Sequence, residues 1–321
     1  VLPPAGWHRV SVMSLLPPAW VLLGCSDATR ETLYRLADMA MLPTELVTIV
    51  PATAERNGLT NYADLSVDCE QLGVTCIDLH KYGMDSPKDV QIFELLKPSV
   101  MLVVGWQRMV PAEVLAHIGI AAAFHASPGI LPYGRGRAPV NWTILEDRRQ
   151  MALHLFELAE QPDAGDIIGI RMLDVNEYDN ARSIYYKIAV AQSELIAQYI
   201  PLLAAGDCPR MRQRGDPRML PKRTPEDGRI DWNTSADDIA RLVRAVTSPF
   251  PGAFCERNGA RVMVWAAQPF SRDMFAGANP GEVCFAARNG TGEFVVKCGG
   301  GSLLVTASEG AEEIAEGEML A

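Results

Sequence analysis

The 321-residue sequence lacks the patterns that mark a membrane protein, a disulfide-rich protein or a metalloprotein. No apolar run reaches the roughly 18–20 residues that a bilayer-spanning helix needs. The seven cysteines are an odd number, are scattered and include no Cys-x-x-Cys pair. This favours reduced thiols in a cytoplasmic protein over disulfides or a zinc site. No His-Glu-x-x-His motif or cluster of metal ligands occurs, so we predict no metal.

Two classes of ligand are also disfavoured by what is missing. The first apolar run leads into LLGCSDATR, which lacks Gly-x-Gly-x-x-Gly, so a dinucleotide cofactor is not expected. The formal net charge of −10 argues against a nucleic-acid partner, because binding to phosphate requires a positive field. The stretch before Trp20 has several prolines and no long apolar core, so it is a poor signal peptide. We predict a loose tail over residues 1–19.

Short apolar runs alternate with helical patterns over residues 20–206. The runs AWVLLG, ELVTIV, GVTCIDL, VMLVVG and IAAAFH are typical of strands that are buried on both faces. MALHLFEL and DIIGIRMLDV are two further strand candidates, and His154 in the first is expected to face a neighbouring strand. This alternation predicts an α/β domain with a doubly wound, mostly parallel sheet.

The character of the chain changes after this domain. Residues 207–223 are rich in proline and charge, which is typical of a linker. Over residues 224–321 we expect a helix capped by Ser235, a hairpin with Asn258 and Gly259 in its turn, and several short antiparallel strands. These features predict a small C-terminal β-barrel domain of the OB-like type.

His125 is the leading candidate for a catalytic side chain. It follows IAAAF, so we expect it at the carboxyl edge of the sheet, where ligands bind in open parallel sheets. An imidazole titrates near pH 6.5, which suits proton transfer. The loop SPGILPYGRGRAP comes next, and its glycines allow a close approach of backbone to a ligand. Asp163, in the turn EQPDAGD, is either a turn residue or a carboxylate that reaches back to His125.

These stretches resemble the folate-dependent formyltransferase family, of the methionyl-tRNA formyltransferase and amino-sugar N-formyltransferase type. The family signature is Asn-x-His, then Ser-Leu-Leu-Pro, an Arg- or Lys-containing turn and a later Asp-x-Gly. It corresponds here to AFHASPGILPYGRGRAPVNW and QPDAGD. PKRTPEDGRIDW and IARLVRAVTSPFPGAF are similar to the second domain of the family. The resemblance extends from Trp20 and implies a Rossmann-like formyltransferase domain at residues 20–206.

The resemblance also implies a donor and a set of site residues. The formyl donor would be 10-formyltetrahydrofolate, His125 would handle protons and Asp163 would orient it. The folate pocket would include Arg108, Met109, Val110, Arg137, Ala159, Glu160, Gln161 and Pro162. The acceptor substrate would contact Ser127, Asn141, Glu226 and Asp227. Glu226 and Asp227 are equally consistent with an ordinary polar turn.

Position 123 departs from the family signature. The signature has asparagine where this chain has Ala123, and alanine cannot donate a hydrogen bond to an oxyanion. Loss of one such donor lowers the rate by about 10²–10³. Three interpretations stay open: a donor from Ser127, Asn141 or the loop amides, a slow enzyme or a substrate that brings its own charge, and a homologue that binds folate without transferring the formyl group.

We expect a cytoplasmic enzyme that formylates a primary amine of a small molecule, with a nucleotide-linked amino sugar as the favoured acceptor. Methionyl-tRNA formylation is the alternative. The acidic total charge, the short linker and the lack of a long basic insertion disfavour it. No membrane partner is expected, and a homodimer is compatible with the sequence.

Overall fold

The computed structural model describes residues 20–59 and 62–321, so the predicted tail lies outside the described residues. The helices are α1 (Asp27–Asp38), α2 (Pro51–Arg56), α3 (Ser66–Leu72), α4 (Pro87–Leu96), α5 (Ala112–Leu115), α6 (Pro139–Leu145), α7 (Ala181–Ala205) and α8 (Ala236–Val246). The strands are β1 (Trp20–Leu23), β2 (Glu45–Ile49), β3 (Thr75–Leu79), β4 (Val100–Val103), β5 (Ile120–Ser127), β6 (Tyr133–Gly136), β7 (Gln150–Glu157), β8 (Ile167–Asp174), β9 (Arg218–Leu220), β10 (Ala253–Arg257), β11 (Ala260–Ser271), β12 (Val283–Ala286), β13 (Phe294–Lys297) and β14 (Ser302–Glu309).

The main sheet has seven strands in the order β3-β2-β1-β4-β5-β7-β8. The pairs from β3 to β5 are all parallel, and helices connect these strands. Strand β1 lies inside the sheet, with β2 and β3 on one side of it and the later strands on the other. The predicted doubly wound, mostly parallel sheet is therefore confirmed.

The chain divides into two compact units. Of the described residues, the first unit comprises 20–59, 62–125, 153–171 and 188–216, and the second comprises 126–152, 172–187 and 217–321. The core of the first unit lies on both faces of the sheet. In β1, Trp20 and Leu22 belong to one apolar cluster, and Val21 and Leu23 belong to the other. Burial on both faces explains why these strands are continuous apolar runs instead of alternating patterns.

The second unit contains a five-stranded antiparallel sheet in the order β10-β11-β14-β13-β12. Asn258 and Gly259 both have positive φ, 51° and 79°, which is the backbone of the predicted hairpin turn. The Ser235 hydroxyl accepts a hydrogen bond from Asp238 N at 3.1 Å and caps α8 as expected. An antiparallel C-terminal domain is confirmed, and its closure into an OB-like barrel stays a prediction.

The segment predicted to be a linker is attached at both ends. Met211 exchanges main-chain hydrogen bonds with Ile167 in the first unit, each at 2.8 Å. In the second unit, β9 pairs in parallel with β6. The predicted boundaries at residues 206 and 223 are not tested by these contacts and stay predictions.

Helix α7 is long and apolar enough, by length and composition alone, to cross a membrane. Within the first unit its side chains Ile196, Ile200 and Leu203 are buried in an apolar cluster. A buried core helix has this composition as well, so α7 supports no membrane assignment.

Candidate active site

Strand β5 holds the leading candidate, His125, but the strand does not end there. It continues to Ser127, so the expectation that His125 closes the strand is wrong. The His125 side chain is buried, with 8% of the residue exposed. Side chains alternate along a strand, so His125 and Ala123 lie on the same face of β5.

Strand β7 lies beside β5 and runs in the opposite direction. Leu158 N, just after β7, donates to Ala121 O near the start of β5 at 2.8 Å. His154 Nδ1, in the middle of β7, lies 3.1 Å from His125 O. The turn that follows β7 therefore begins beside the start of β5 and has to fold back to approach His125.

The structure brings His125 and Asp163 into contact. His125 Nδ1 lies 3.5 Å from Asp163 Oδ1, and the two side chains are only 9% and 20% exposed. A carboxylate at Nδ1 holds the imidazole in one orientation. Nδ1 faces the carboxylate, and Nε2 is the other ring nitrogen of His125.

The backbone around Asp163 has one residue in the left-handed region and one close contact. Asp163 has a φ of +55°, in the left-handed region. A Cβ on Gly165 would overlap Glu157 O, so only glycine lets the turn pass this close to β7. This contact gives a physical reason for glycine in the Asp-Ala-Gly sequence.

Gln213 is a residue of this site that the sequence analysis missed. Its side-chain amide Nε2 donates to Asp163 O and Gly165 O, each at 2.8 Å. It lies in the segment predicted to be a linker, where no local pattern singles it out. Gln213 thus ties that segment to the turn that presents Asp163.

His154 supports the main chain of His125. It is fully buried, and this burial lowers its pKa to about 4. The ring is therefore neutral near pH 7, and its Nδ1–H donates to His125 O. The sequence predicted a strand residue facing a neighbour, and the structure shows which main-chain atom it contacts.

The predicted folate residues are placed in three parts of the chain. Arg108 and Met109 follow β4 and are exposed, and the Arg108 guanidinium carbon lies 5.4 Å above the Tyr82 ring. The Val110 side chain is buried in an apolar cluster, and its place in the folate pocket stays a prediction. Ala159, Glu160, Gln161 and Pro162 form the turn that leads to Asp163. Arg137 is exposed and belongs to the second unit.

The predicted acceptor-binding residues form hydrogen bonds within the protein. The Ser127 hydroxyl is buried and donates to Gly129 O. Asn141 is buried and its Nδ2 donates to Ala245 O at 2.7 Å. Arg261 donates to the Glu226 carboxylate at 3.0 Å.

The Asp227 carboxylate has a local structural partner. It accepts hydrogen bonds from the main chain and hydroxyl of Thr224, which lowers its pKa. These bonds cap the short 3-10 turn Pro225–Gly228. For Asp227, as for Glu226, contact with the acceptor substrate stays a prediction.

No three His, Cys, Asp or Glu side chains are grouped as for a metal ion in the part of the chain that the structure describes.

Comparison with models of protein families identifies the family of this chain. A family model described as "Formyl transferase" matches residues 44–200, and one described as "Formyl transferase, C-terminal domain" matches residues 222–316. The chain therefore belongs to the formyl transferase family.

Solved structures share the fold at low sequence identity. HypX from Aquifex aeolicus in complex with tetrahydrofolic acid is 20% identical, with a TM-score of 0.66 over 90% of this chain and 44% of that chain. Methionyl-tRNA formyltransferase from Clostridium thermocellum is 19% identical, with a TM-score of 0.55 over 78% of this chain and 93% of that chain. WlaRD, a sugar 3N-formyl transferase solved in the presence of dTDP and 5-N-formyl-THF, is 13% identical, with a TM-score of 0.62 over 91% and 98%. The chain spans less than half of the HypX chain.

Proposed function

We propose that the protein transfers a formyl group from 10-formyltetrahydrofolate to a primary amine of a small molecule, with a nucleotide-linked amino sugar as the acceptor. The observation that carries this proposal is the buried contact between His125 and Asp163 in a chain of the formyl transferase family. An imidazole paired with a carboxylate can act as a general acid and base. Formyl transfer from folate to an amine requires such a proton transfer.

In the proposed reaction, the proton that the acceptor amine loses is gained by the folate nitrogen. When bound, the folate supplies a formyl carbon that is open to attack by an amine. A new carbon–nitrogen bond forms to the acceptor amine, the bond from the formyl carbon to the folate nitrogen breaks, and one proton passes from the amine to that nitrogen. His125 Nε2 would accept and return this proton, while the Asp163 carboxylate stabilises the imidazolium formed in between. Acid–base transfer of this kind accelerates reactions by about 10²–10⁴-fold.

The turn before Asp163 fits a folate that presents hydrogen-bond acceptors. Among the described residues, nothing accepts a hydrogen bond from the N–H groups of Ala159, Glu160 or Gln161. These residues are half-buried or exposed, so their N–H groups are available to a ligand. A pterin ring carries both acceptors and donors, which suits such a turn. We infer that this turn and the exposed Arg108 and Met109 would hold the folate.

The small-molecule acceptor is supported by charge and by the related structures. The net charge of −10 disfavours tRNA, and WlaRD is a sugar formyl transferase with the same fold. A second candidate function follows from Ala123, which places no hydrogen-bond donor beside His125. In that candidate the protein binds folate without transferring the formyl group.

The test is to follow tetrahydrofolate release with 10-formyltetrahydrofolate and a panel of amino sugars, nucleotide-linked amino sugars and amino acids. We expect turnover with an amino sugar and none without an amine. Tight folate binding with no turnover for any amine would favour the non-catalytic candidate. Filter binding of initiator tRNA at low salt provides the remaining comparison, since strong binding that falls steeply with salt would favour tRNA as the acceptor.

A further inference from the structure

Two cysteines of the first unit lie close together where helix α3 leads into strand β3. Cys69 is in the last turn of α3 and is 1% exposed, whereas Cys76 is in β3 and is half-buried. Only Gly73 and Val74 separate the two elements. Val74 N donates to Cys69 O at 3.0 Å, so the chain turns back along α3 at once.

The pairing of the strands places the Cys76 side chain on the same face of the sheet as Cys69. In the parallel pair of β2 and β3, Cys76 lies beside Leu46, so these two side chains share a face. Leu46 and Cys69 belong to one apolar cluster, and Cys76 packs against that cluster. Ile77, the next residue, packs against the cluster on the opposite face. The thiols of Cys69 and Cys76 share a hydrogen bond.

Burial determines which of the two sulfurs is the nucleophile. The hydrogen bond to Cys76 and burial together raise the pKa of the Cys69 thiol, so Cys69 keeps its proton and is the donor. Because Cys76 accepts this hydrogen bond, its own pKa is lowered. The thiolate is the reactive form of cysteine. Cys76 therefore combines a favoured thiolate with partial access to solvent.

We propose that Cys69 and Cys76 form a reversible disulfide when the protein is exposed to hydrogen peroxide, and that Cys76 is oxidised first. The inference goes beyond formyl transfer, and it holds whether or not the protein transfers a formyl group.

The oxidation proceeds in two steps. The Cys76 sulfur attacks one oxygen of the peroxide, the O–O bond breaks, and Cys76 becomes a sulfenic acid. The hydroxide that leaves takes up the proton that the Cys76 thiol released. The Cys69 sulfur then attacks the Cys76 sulfur, the S–S bond forms, and the S–O bond breaks, so that the oxygen leaves as water with the Cys69 proton. The two thiols lose two electrons, and these reduce the peroxide to two molecules of water.

Cys284 and Cys298 of the second unit provide an internal comparison. Strand β12 contains the half-buried Cys284, and the buried Cys298 directly follows the neighbouring strand β13. Both thiols donate to main-chain oxygens, Cys284 to Glu282 O at 3.4 Å and Cys298 to Val296 O at 3.7 Å. Burial raises the pKa of both, that of Cys298 to about 12. This pair should therefore react more slowly with peroxide.

The first test is to map disulfides in the oxidised full chain. After treatment with hydrogen peroxide, free thiols are blocked with N-ethylmaleimide and the chain is cleaved after glutamate. Cleavage after Glu70 places Cys69 and Cys76 on separate peptides, which only a disulfide joins. We expect mass spectrometry to show these joined peptides, separable by dithiothreitol, before any peptides joined through Cys284 and Cys298.

Two substitutions of Cys69 then separate its two roles. Cys69→Ser keeps a hydrogen-bond donor but cannot form the disulfide, so dimedone should trap Cys76 as a sulfenic acid. Cys69→Ala removes the donor as well, so alkylation of Cys76 by iodoacetamide at neutral pH should slow by about threefold, since nucleophilicity partly offsets the loss of thiolate. Cys284 is the matched half-buried thiol, and its rate of alkylation should be the same in both variants.

Three outcomes would overturn the proposal. One is oxidised protein without a disulfide between Cys69 and Cys76, including protein in which Cys76 proceeds to a sulfonic acid. Another is a disulfide between Cys284 and Cys298 that forms equally fast. The third is equal alkylation of Cys76 in Cys69→Ser and Cys69→Ala, with native circular dichroism spectra for both, which would show that Cys69 does not activate Cys76.

Discussion

At the scale of single residues, the site depends on the contact between the His125 imidazole and the Asp163 carboxylate. The two groups are 3.5 Å apart and mostly buried, so salt screens them little. Asp163→Asn keeps the size of the side chain and removes its charge, which deprives the imidazolium of its stabilising partner. We expect formyl transfer to slow by about 10²–10⁴, measured as the rate of tetrahydrofolate release.

A carboxylate in the same turn provides the control for this variant. Asp166→Asn removes an equal charge close by, and no side-chain hydrogen bond or ion pair of Asp166 is formed within the described residues. It should leave the rate within a few-fold of the unchanged protein. Equal losses in the two variants, or full activity in Asp163→Asn, would show that Asp163 has no special role.

Ala123 allows a gain of function to be predicted. The two side chains first considered as replacement donors are both engaged, Ser127 with Gly129 O and Asn141 with Ala245 O. An asparagine at position 123 would lie on the His125 face of β5, where it could donate to an oxyanion. We expect Ala123→Asn to raise kcat by about 10–100-fold, because one oxyanion donor contributes about 10²–10³.

The same substitution also adds volume to a buried position, since Ala123 is 8% exposed. The matched variant Ala123→Leu adds similar volume without a donor and should not raise kcat. Thermal unfolding of both variants reports any loss of stability. A lower kcat in Ala123→Asn with unchanged stability would mean that another group already occupies the donor position.

At the scale of single elements, the turn after β7 depends on a residue distant in sequence. Gln213 holds two carbonyl groups of this turn, those of Asp163 and Gly165. Gln213→Ala removes both hydrogen bonds, so the Asp163 carboxylate should sample positions away from His125. We expect kcat to fall by about tenfold, because small misplacements of a catalytic group slow catalysis strongly.

The neighbouring substitution Arg212→Ala is the control for Gln213→Ala, since Arg212 is exposed. Kinetic assays and thermal unfolding of both variants separate positioning from stability. If Gln213→Ala loses activity only in proportion to a lost folded fraction, Gln213 is a structural residue and does not position Asp163.

The elements also show where sequence patterns predict structure and where they do not. The buried strands, the capped helix α8 and the Asn-Gly hairpin follow from local patterns, and the structure confirms them. The direction of β7 relative to β5 is not a local property, because the same apolar pattern suits either direction. Two further features depend on tertiary contacts and have no periodic pattern in the sequence. They are the short strand β9 and the contact of Gln213 with the Asp163 turn.

The candidate site was predictable to a similar extent. His125 and Asp163 come from a motif, so their proximity could be expected before the structure. The partners that hold them could not, since His154 contacts a main-chain oxygen and Gln213 lies outside any motif. Motifs identify candidate catalytic groups, whereas the supporting hydrogen bonds depend on the packing of the folded chain.

At the scale of the whole molecule, the buried His154 makes stability depend on pH. Its pKa is about 4 in the folded protein, against an ordinary value of about 6.5 in the unfolded chain. Between these values the unfolded chain binds a proton that the folded protein excludes, so stability falls as the pH decreases. The contribution is complete above about pH 6.5 and is lost by about pH 4, and its size is about 3 kcal/mol.

The variant His154→Gln isolates this contribution. Glutamine does not titrate, and its side-chain amide can still donate to His125 O, so the variant should lose stability less steeply than the unchanged protein as the pH falls from about 7 to about 4.5. Urea denaturation followed by circular dichroism measures both proteins. His117→Gln removes a histidine that is not fully buried and should keep the original slope. Parallel slopes for His154→Gln and the unchanged protein would show that His154 takes up its proton equally in the folded and unfolded states.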